Sequence, residues 1–512
     1  MIGRISTLGG VLLLTLLTAC ASPIRQQLWH EVSSERFRIV SNLDLEEAKR
    51  VVVDLERFHG LIKQTTNVGD YESPIPNDIL AFASERQLQS YLGSRNFVGM
   101  FIPGLRSNMM LLAPSGRRVS ATQTMLHEYV HFVVANGEES IVPLWYSEGF
   151  AELLSSARVD SEKMVVGGVP GTRAGWIQYG NWLDADDVIR GEGYDDFSGD
   201  RLAQFYAQAW LLVHYLTLDR NSDQKMSVGL SRYLGLLRQG AEPIDAFERG
   251  FGEDVGTLNK RLRDLVNKRN GLSLQLVGLP VDRLEYDRSP PSVRVIPADE
   301  VAVWLGGVCL RRGDLECVRR EARFAVEQQP KNGAAHALLG DGLKFDSEWD
   351  AAEPEFRRAL ELAPESVTIR LDWGEYLADR AKNTPDPIRR RQLLKDAREV
   401  FRDILADQER NPEAWLVLAS SYLVPGEDPS LALKPTERAF DLLPSSQAVK
   451  SVRAEVLLMN GRRLEAEKAL HEWLGLRHGN VAENDVEAMM DEMLQRRSEL
   501  AEKLGVALPP DA

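Results

Sequence analysis

Apolar and polar residues alternate in three different rhythms along this chain, and each predicts a different kind of structure. Between residues 28 and 114, short β-type runs are bounded by Gly, Pro, Asn and Ser. The runs FRIVSN, DILAFAS, FVGMFIPG and NMMLLAPS predict strands, because residues of this type fit a pleated, buried surface and the flanking residues turn the chain. The stretch LEEAKRVVVDLERFHGLIKQ has the three- and four-residue spacing of an amphipathic helix. A small sheet packed by helices is the expectation for this region.

The second rhythm is helical and carries the unusual residues. In TMLHEYVHFVVANG (124–137), Ser120 and Gln123 make a capping box ahead of the helix and Asn136-Gly137 supply its stop. A second apolar helix follows in PLWYSEGFAELLSS (143–156). There Ser147 is placed to cap the start, and Gly149 permits close approach to the histidine helix. A third helix is predicted in FYAQAWLLVHYL (205–216). The acidic stretch WLDADDVIRGEGYDDFSGD (182–200) lacks the spacing of a calcium loop and is expected to be a solvated rim.

The third rhythm begins after residue 297. Residues 272–297, with Pro290-Pro291 and no helical period, are expected to be a linker. Beyond it the chain is almost wholly helical with a long period. Pro330 and Pro364 are 34 residues apart, and Pro412 and Pro444 are 32 apart. Gly340, Ala352, Phe356, Ala359 and Pro364 fall at small, aromatic and proline positions, as do Gly306, Gly313, Ala322, Ala325 and Pro330 one copy earlier. This pattern resembles tetratricopeptide repeats, whose paired helices stack into a solenoid. The resemblance implies a solenoid over 298–484, with 485–512 as a capping helix and tail, and a protein partner bound through the repeats.

Composition narrows the class. A chain of 512 residues exceeds one ordinary hydrophobic core, so several domains are expected. The balance of 61 basic against 76 acidic residues repels phosphate backbones, so no nucleic acid partner is expected. Residues 1–19 have an arginine, a short apolar run and small residues, too short for a membrane span. LTAC at 17–20 resembles a bacterial lipoprotein signal. The resemblance implies cleavage before Cys20, lipidation of Cys20, and anchoring to the cell envelope, at the outer membrane facing the periplasm. Cys309 and Cys317 lie eight residues apart in a compartment that permits disulfides. That spacing lets them pair between neighbouring helices, but the plainer reading is two small buried residues of one helical hairpin, and no function is placed on them.

Chemistry concentrates in the two middle helices. His127 and His131 are one turn apart and share a face, so their imidazoles can converge on one ion. Glu128 sits about 100° around the helix from His127, within reach of a water on that ion. Glu148 offers a third ligand, and catalytic zinc takes three protein ligands and an open position. Glu152, one turn beyond, is placed to accept a hydrogen bond from a ligating histidine and fix its tautomer.

HEYVH and, with sixteen residues between it and His131, the Glu148 of WYSEGFAE resemble the gluzincin branch of the zinc metallopeptidases. The specific likeness covers about thirty residues. It implies an α+β gluzincin-like metallopeptidase domain over 20–271, with Zn2+ held by His127, His131 and Glu148 and Glu128 as general base. The G-x-M-x-N segment that grips a free amino terminus in aminopeptidases is missing, since SNMM at 107–110 does not match it, so an endopeptidase is the expectation. Related domains carry a tyrosine in a helix such as 205–216, which points to Tyr206 as an oxyanion donor, ahead of His214. The expected protein is a lipid-anchored zinc peptidase acting on proteins or peptides. Its alternative is a non-catalytic scaffold lipoprotein with a vestigial peptidase domain.

Overall fold

The computed structural model of the chain describes residues 24–65, 71–93, 99–113, 121–137, 142–159, 162–171, 173–191, 196–218, 226–266, 274–478 and 483–508. The expected signal segment, Cys20 and Ser120 lie outside the described residues. The first part contains β1 (Trp29–Ser33), β2 (Phe37–Ser41), α1 (Leu45–Thr65), β3 (Asn77–Ala81), α2 (Glu85–Leu92), β4 (Gly99–Ile102) and β5 (Asn108–Leu112). Next come α3 (Ala121–Asn136), α4 (Leu144–Ser155), β6 (Arg158–Val159), β7 (Lys163–Val166), α5 (Ala174–Tyr179), α6 (Ala185–Arg190) and α7 (Asp200–Leu218). Then follow α8 (Met226–Arg238), α9 (Pro243–Phe251), α10 (Val255–Val266), β8 (Val277–Pro280) and β9 (Ser292–Ile296).

The larger sheet has the order β4-β5-β3-β2-β1-β9. Its centre, β2-β3-β5, is parallel, and the flanking pairs are antiparallel. Both faces of this centre are covered, which is why β2, β3 and β5 are mostly apolar runs and not alternating ones, whereas the edge strand β9 is largely exposed. Alternate residues go to opposite layers. Ile39, Ile79 and Met110 pack with α1, α3 and α4, whereas Val40, Leu80 and Leu111 pack with α2 and with Val301, Leu305 and Val308.

Those last three residues belong to the helical half, so the expected linker needs correction. Within it, residues 274–297 are not a connector outside the domains. β8 completes the small β6-β7-β8 sheet, and β9 lies along β1 with Trp29 opposite Ile296. The Pro-Pro pair hid this, because proline is tolerated just before an edge strand. The acidic stretch is also corrected in part: α6 buries Val188 and Ile189 within it.

The helical half runs through α11 (Ala298–Arg311), α12 (Leu315–Gln328), α13 (Gly333–Phe345), α14 (Trp349–Leu362), α15 (Val367–Lys382) and α16 (Pro387–Asp407). It continues with α17 (Pro412–Ser421), α18 (Leu433–Leu442), α19 (Gln447–Met459), α20 (Arg463–His478) and α21 (Glu483–Leu504). Each helix packs on the next, and the first helices of successive hairpins also touch one another in a row. The small residues explain the fit. A Cβ on Gly340 would meet the Phe356 ring at 2.9 Å, and one on Gly374 would meet Phe401 at 2.5 Å. This is a helical-repeat solenoid. α21 packs on the last hairpin through Val486 and Met490, and its C-terminal end reaches α16, where the Leu504 carbonyl accepts from Arg390.

Cys309 and Cys317 are buried on the α11–α12 hairpin, as the plainer reading has it, and are also joined there as a disulfide. No helix among the described residues is long and apolar enough to cross a membrane.

Candidate metal centre

α3 lies between the large sheet and α4, with Met125, Tyr129, Val130 and Val133 buried in the core. That packing fixes its rotation and leaves His127 and His131 facing α4, while Glu128 is exposed. The two Nε2 atoms stand 3.0 Å apart. Glu148, buried on α4, brings one carboxylate oxygen to 3.1 Å from His127 Nε2 and the other to 3.4 Å from His131 Nε2. Among the described residues these three form a group whose ligand atoms all lie within 4.8 Å of one another.

The electrostatics suit a cation. Burial alone raises the pKa of Glu148, but the neighbouring His131 and hydrogen bonds from both imidazoles hold its carboxyl well below the usual range. Burial likewise pushes His131 down, and the Glu148 carboxylate outweighs it and raises it. A buried carboxylate facing two inward-turned imidazole nitrogens favours positive charge at their centre. Two imidazoles and one carboxylate are also a donor set that suits zinc.

Ser147 does not cap α4. The helix starts at Leu144 behind Pro143, whose carbonyl accepts from Tyr146 and Ser147 N–H groups. The Ser147 hydroxyl instead lies 3.1 Å from His131 Nδ1. A proton on that nitrogen leaves Nε2 with its lone pair free for a ligand.

Glu152 is buried one turn along α4, 3.9 Å from His127 Nδ1, beyond hydrogen-bonding distance. Its Oε1 accepts from Arg173 Nε and Nη2 at 2.9 and 2.5 Å. Gly149 faces α7 and not α3: a Cβ there would collide with the Ala209 carbonyl oxygen. The consequence is that α7 is pulled against α4 and brings Tyr206 to the site.

Tyr206 lines a cavity of about 280 Å³ together with Gln123, Thr124, His127, Glu128, Glu152, Ser155 and Arg173. The Arg173 guanidinium lies over its ring at 4.6 Å. Burial, and after it the Glu148 carboxylate, push the phenol pKa up, so Tyr206 stays protonated and able to donate at neutral pH. His214 is not on this wall; its Nε2 lies 3.1 Å from the Gln275 carbonyl oxygen. Arg173 is the site residue that sequence reasoning missed, and Ser147 is one to which it gave a different role. Arg173 sits in a stretch without period, and its charge was its only signal.

No family model matches the chain, and no curated protein matches it. Solved structures similar to it include tetratricopeptide-repeat proteins. A thermophilic TPR protein of Thermus thermophilus is 18% identical over 38% of this chain and 99% of its own, with a TM-score of 0.34. PilF of Pseudomonas aeruginosa is 18% identical over 40% of this chain and 88% of its own, with a TM-score of 0.31. A tetratricopeptide repeat protein from Parabacteroides merdae is 13% identical over 56% of this chain and 94% of its own, with a TM-score of 0.30.

Proposed function

We propose that this chain is a zinc-dependent peptidase, an endopeptidase acting on proteins or peptides, held to the bacterial envelope through lipidated Cys20. One observation carries the reading: two imidazole nitrogens and the Glu148 carboxylate converge within 4.8 Å behind a cavity whose wall also holds Glu128 and Tyr206. Zinc bound by His127, His131 and Glu148 would supply a Lewis acid that polarises a carbonyl and acidifies water. Glu128 is exposed into the cavity and is the group that takes a proton from the attacking water and returns it to the leaving amine. Tyr206 donates to the oxyanion, and Arg173 holds Glu152 in place and steadies the Tyr206 ring.

The test is zinc content by elemental analysis in wild type and Glu128→Gln, with cleavage of a panel of denatured proteins. Zinc retained in both, with cleavage falling roughly 10²–10⁴-fold only in the variant, supports the reading. A wild type that takes up no zinc after reconstitution removes it.

The second reading is a non-catalytic envelope scaffold that works through its repeats. It is favoured by the extent of the solenoid, from α11 to α20. Zinc bound equally by both proteins with no cleavage by either would select it.

A further inference from the structure

The row of first helices in the solenoid is in contact with a turn of the same chain. The turn between β4 and β5, residues 103–107 with the sequence PGLRS, projects from the sheet into the row of first helices. Arg106 makes a two-pronged pair with Glu413 of α17, Nε and Nη2 each 2.7 Å from a carboxylate oxygen. Its Nη1 lies 2.6 Å from Asp372 of α15, and Glu375 stands 3.9 Å away. Asp372 and Glu413 are buried at 5% and 7% exposure, so both carboxylates are largely removed from solvent.

The residues on either side are gripped as well. Leu105 packs on Leu416, Ala439 and Val449 of α17, α18 and α19. Arg311 of α11 donates to the Ser107 carbonyl and hydroxyl at 2.9 and 2.8 Å. A Cβ on Gly104 would collide with the Ser107 carbonyl at 2.5 Å and with Arg311 at 2.6 Å, so the turn is shaped to its seat. An apolar pocket beside a forked acidic pocket reads two consecutive side chains, one aliphatic and one guanidinium.

Charge shows that the acidic pocket is built for a cation. Asp341, Asp372, Glu375 and Glu413 face it from α13, α15 and α17, against Arg106 and Lys344, which lies 3.4 Å from both Asp341 and Glu375. Removing Arg106 would leave Asp372 and Glu413 buried without their cation, a state that demands another.

We propose that the inner face of the solenoid is a recognition site for an aliphatic-arginine segment, occupied in this state by the chain's own Leu105-Arg106. A protein partner that presents the same pair in an extended loop or tail binds by displacing the 103–107 turn. The partner is thus an arginine-bearing peptide segment, and the resident turn keeps the face closed until such a segment competes. This inference rests on the solenoid and is independent of the metal centre.

The probe is a labelled peptide of residues 102–108, IPGLRSN, and its Arg→Ala counterpart, added to the full chain. In R106A, shown folded by circular dichroism, fluorescence anisotropy should report binding of the parent peptide at least roughly tenfold tighter than in wild type, and none of the Arg→Ala peptide. R106K, which keeps the charge but loses the fork, should be intermediate. In wild type, excess parent peptide should raise hydrogen exchange in 103–107, and the Arg→Ala peptide should not. Equal binding of the two peptides, equal binding by wild type and R106A, or unchanged exchange in wild type at peptide excess overturns the proposal.

Discussion

Gly149 of α4 faces the Ala209 carbonyl oxygen of α7 so closely that no methyl group fits between them. The same contact that joins the two helices therefore sets Tyr206 beside His127 and Glu128. G149A should lower stability by about 1–3 kcal/mol, read as a fall in the urea midpoint. G175A, where nothing lies within 4 Å, should cost far less. Equal losses at the two positions would show that the α4–α7 contact does not require glycine.

The hydroxyl of Ser147 orients His131 through Nδ1. S147A should weaken zinc affinity roughly 10–100-fold, measured by competition with a chelating dye, while the fold is retained. An unchanged affinity would mean that the packing of α3 alone holds the imidazole.

Burial, and then the charge of Asp372, push Asp341 up to about 7, and burial with Glu413 does the same for Glu375. Both folded-state values exceed the ordinary 3.8 and 4.5, so between pH 4 and 7 the folded state holds protons that the unfolded chain releases. Their contribution is therefore fully present at acid pH and is lost as pH rises through about 7. D341N should have a higher urea midpoint than wild type at about pH 8, with the gap closing near pH 5. A gap that does not vary with pH would contradict this assignment.

Cys309 and Cys317 close a short loop around Gly313, whose φ of 70° suits glycine in the turn from α11 to α12. Reduction should lower stability by roughly 2–3 kcal/mol, since a short loop restrains the unfolded chain only modestly. Alkylation of the unreduced chain followed by mass spectrometry should leave both cysteines unlabelled. Labelling of either would show that the bond does not form.

Removing the Arg173 guanidinium should act on the site without touching a ligand. R173A frees Glu152 and the Tyr206 ring together, so peptide cleavage should fall while zinc content stays at the wild-type level. Loss of zinc in R173A would instead place Glu152 and Arg173 in the support of His127.

What the sequence determined by itself was local. One-turn spacing puts His127 and His131 on one helix face whatever surrounds the helix, and the 34-residue period with Gly340 opposite Phe356 is enough to define a stacked hairpin. Strands β2, β3 and β5 were legible because burial on both faces makes them continuous apolar runs. Only the tertiary structure decided the rest. β9 joins β1 across more than 250 residues of chain, Arg173 reaches Glu152 from a segment without period, and Arg106 meets Asp372 and Glu413 in helices far along the sequence. Such pairs leave no periodic trace, because periodicity records which face of an element is buried and carries no information about which distant element covers it.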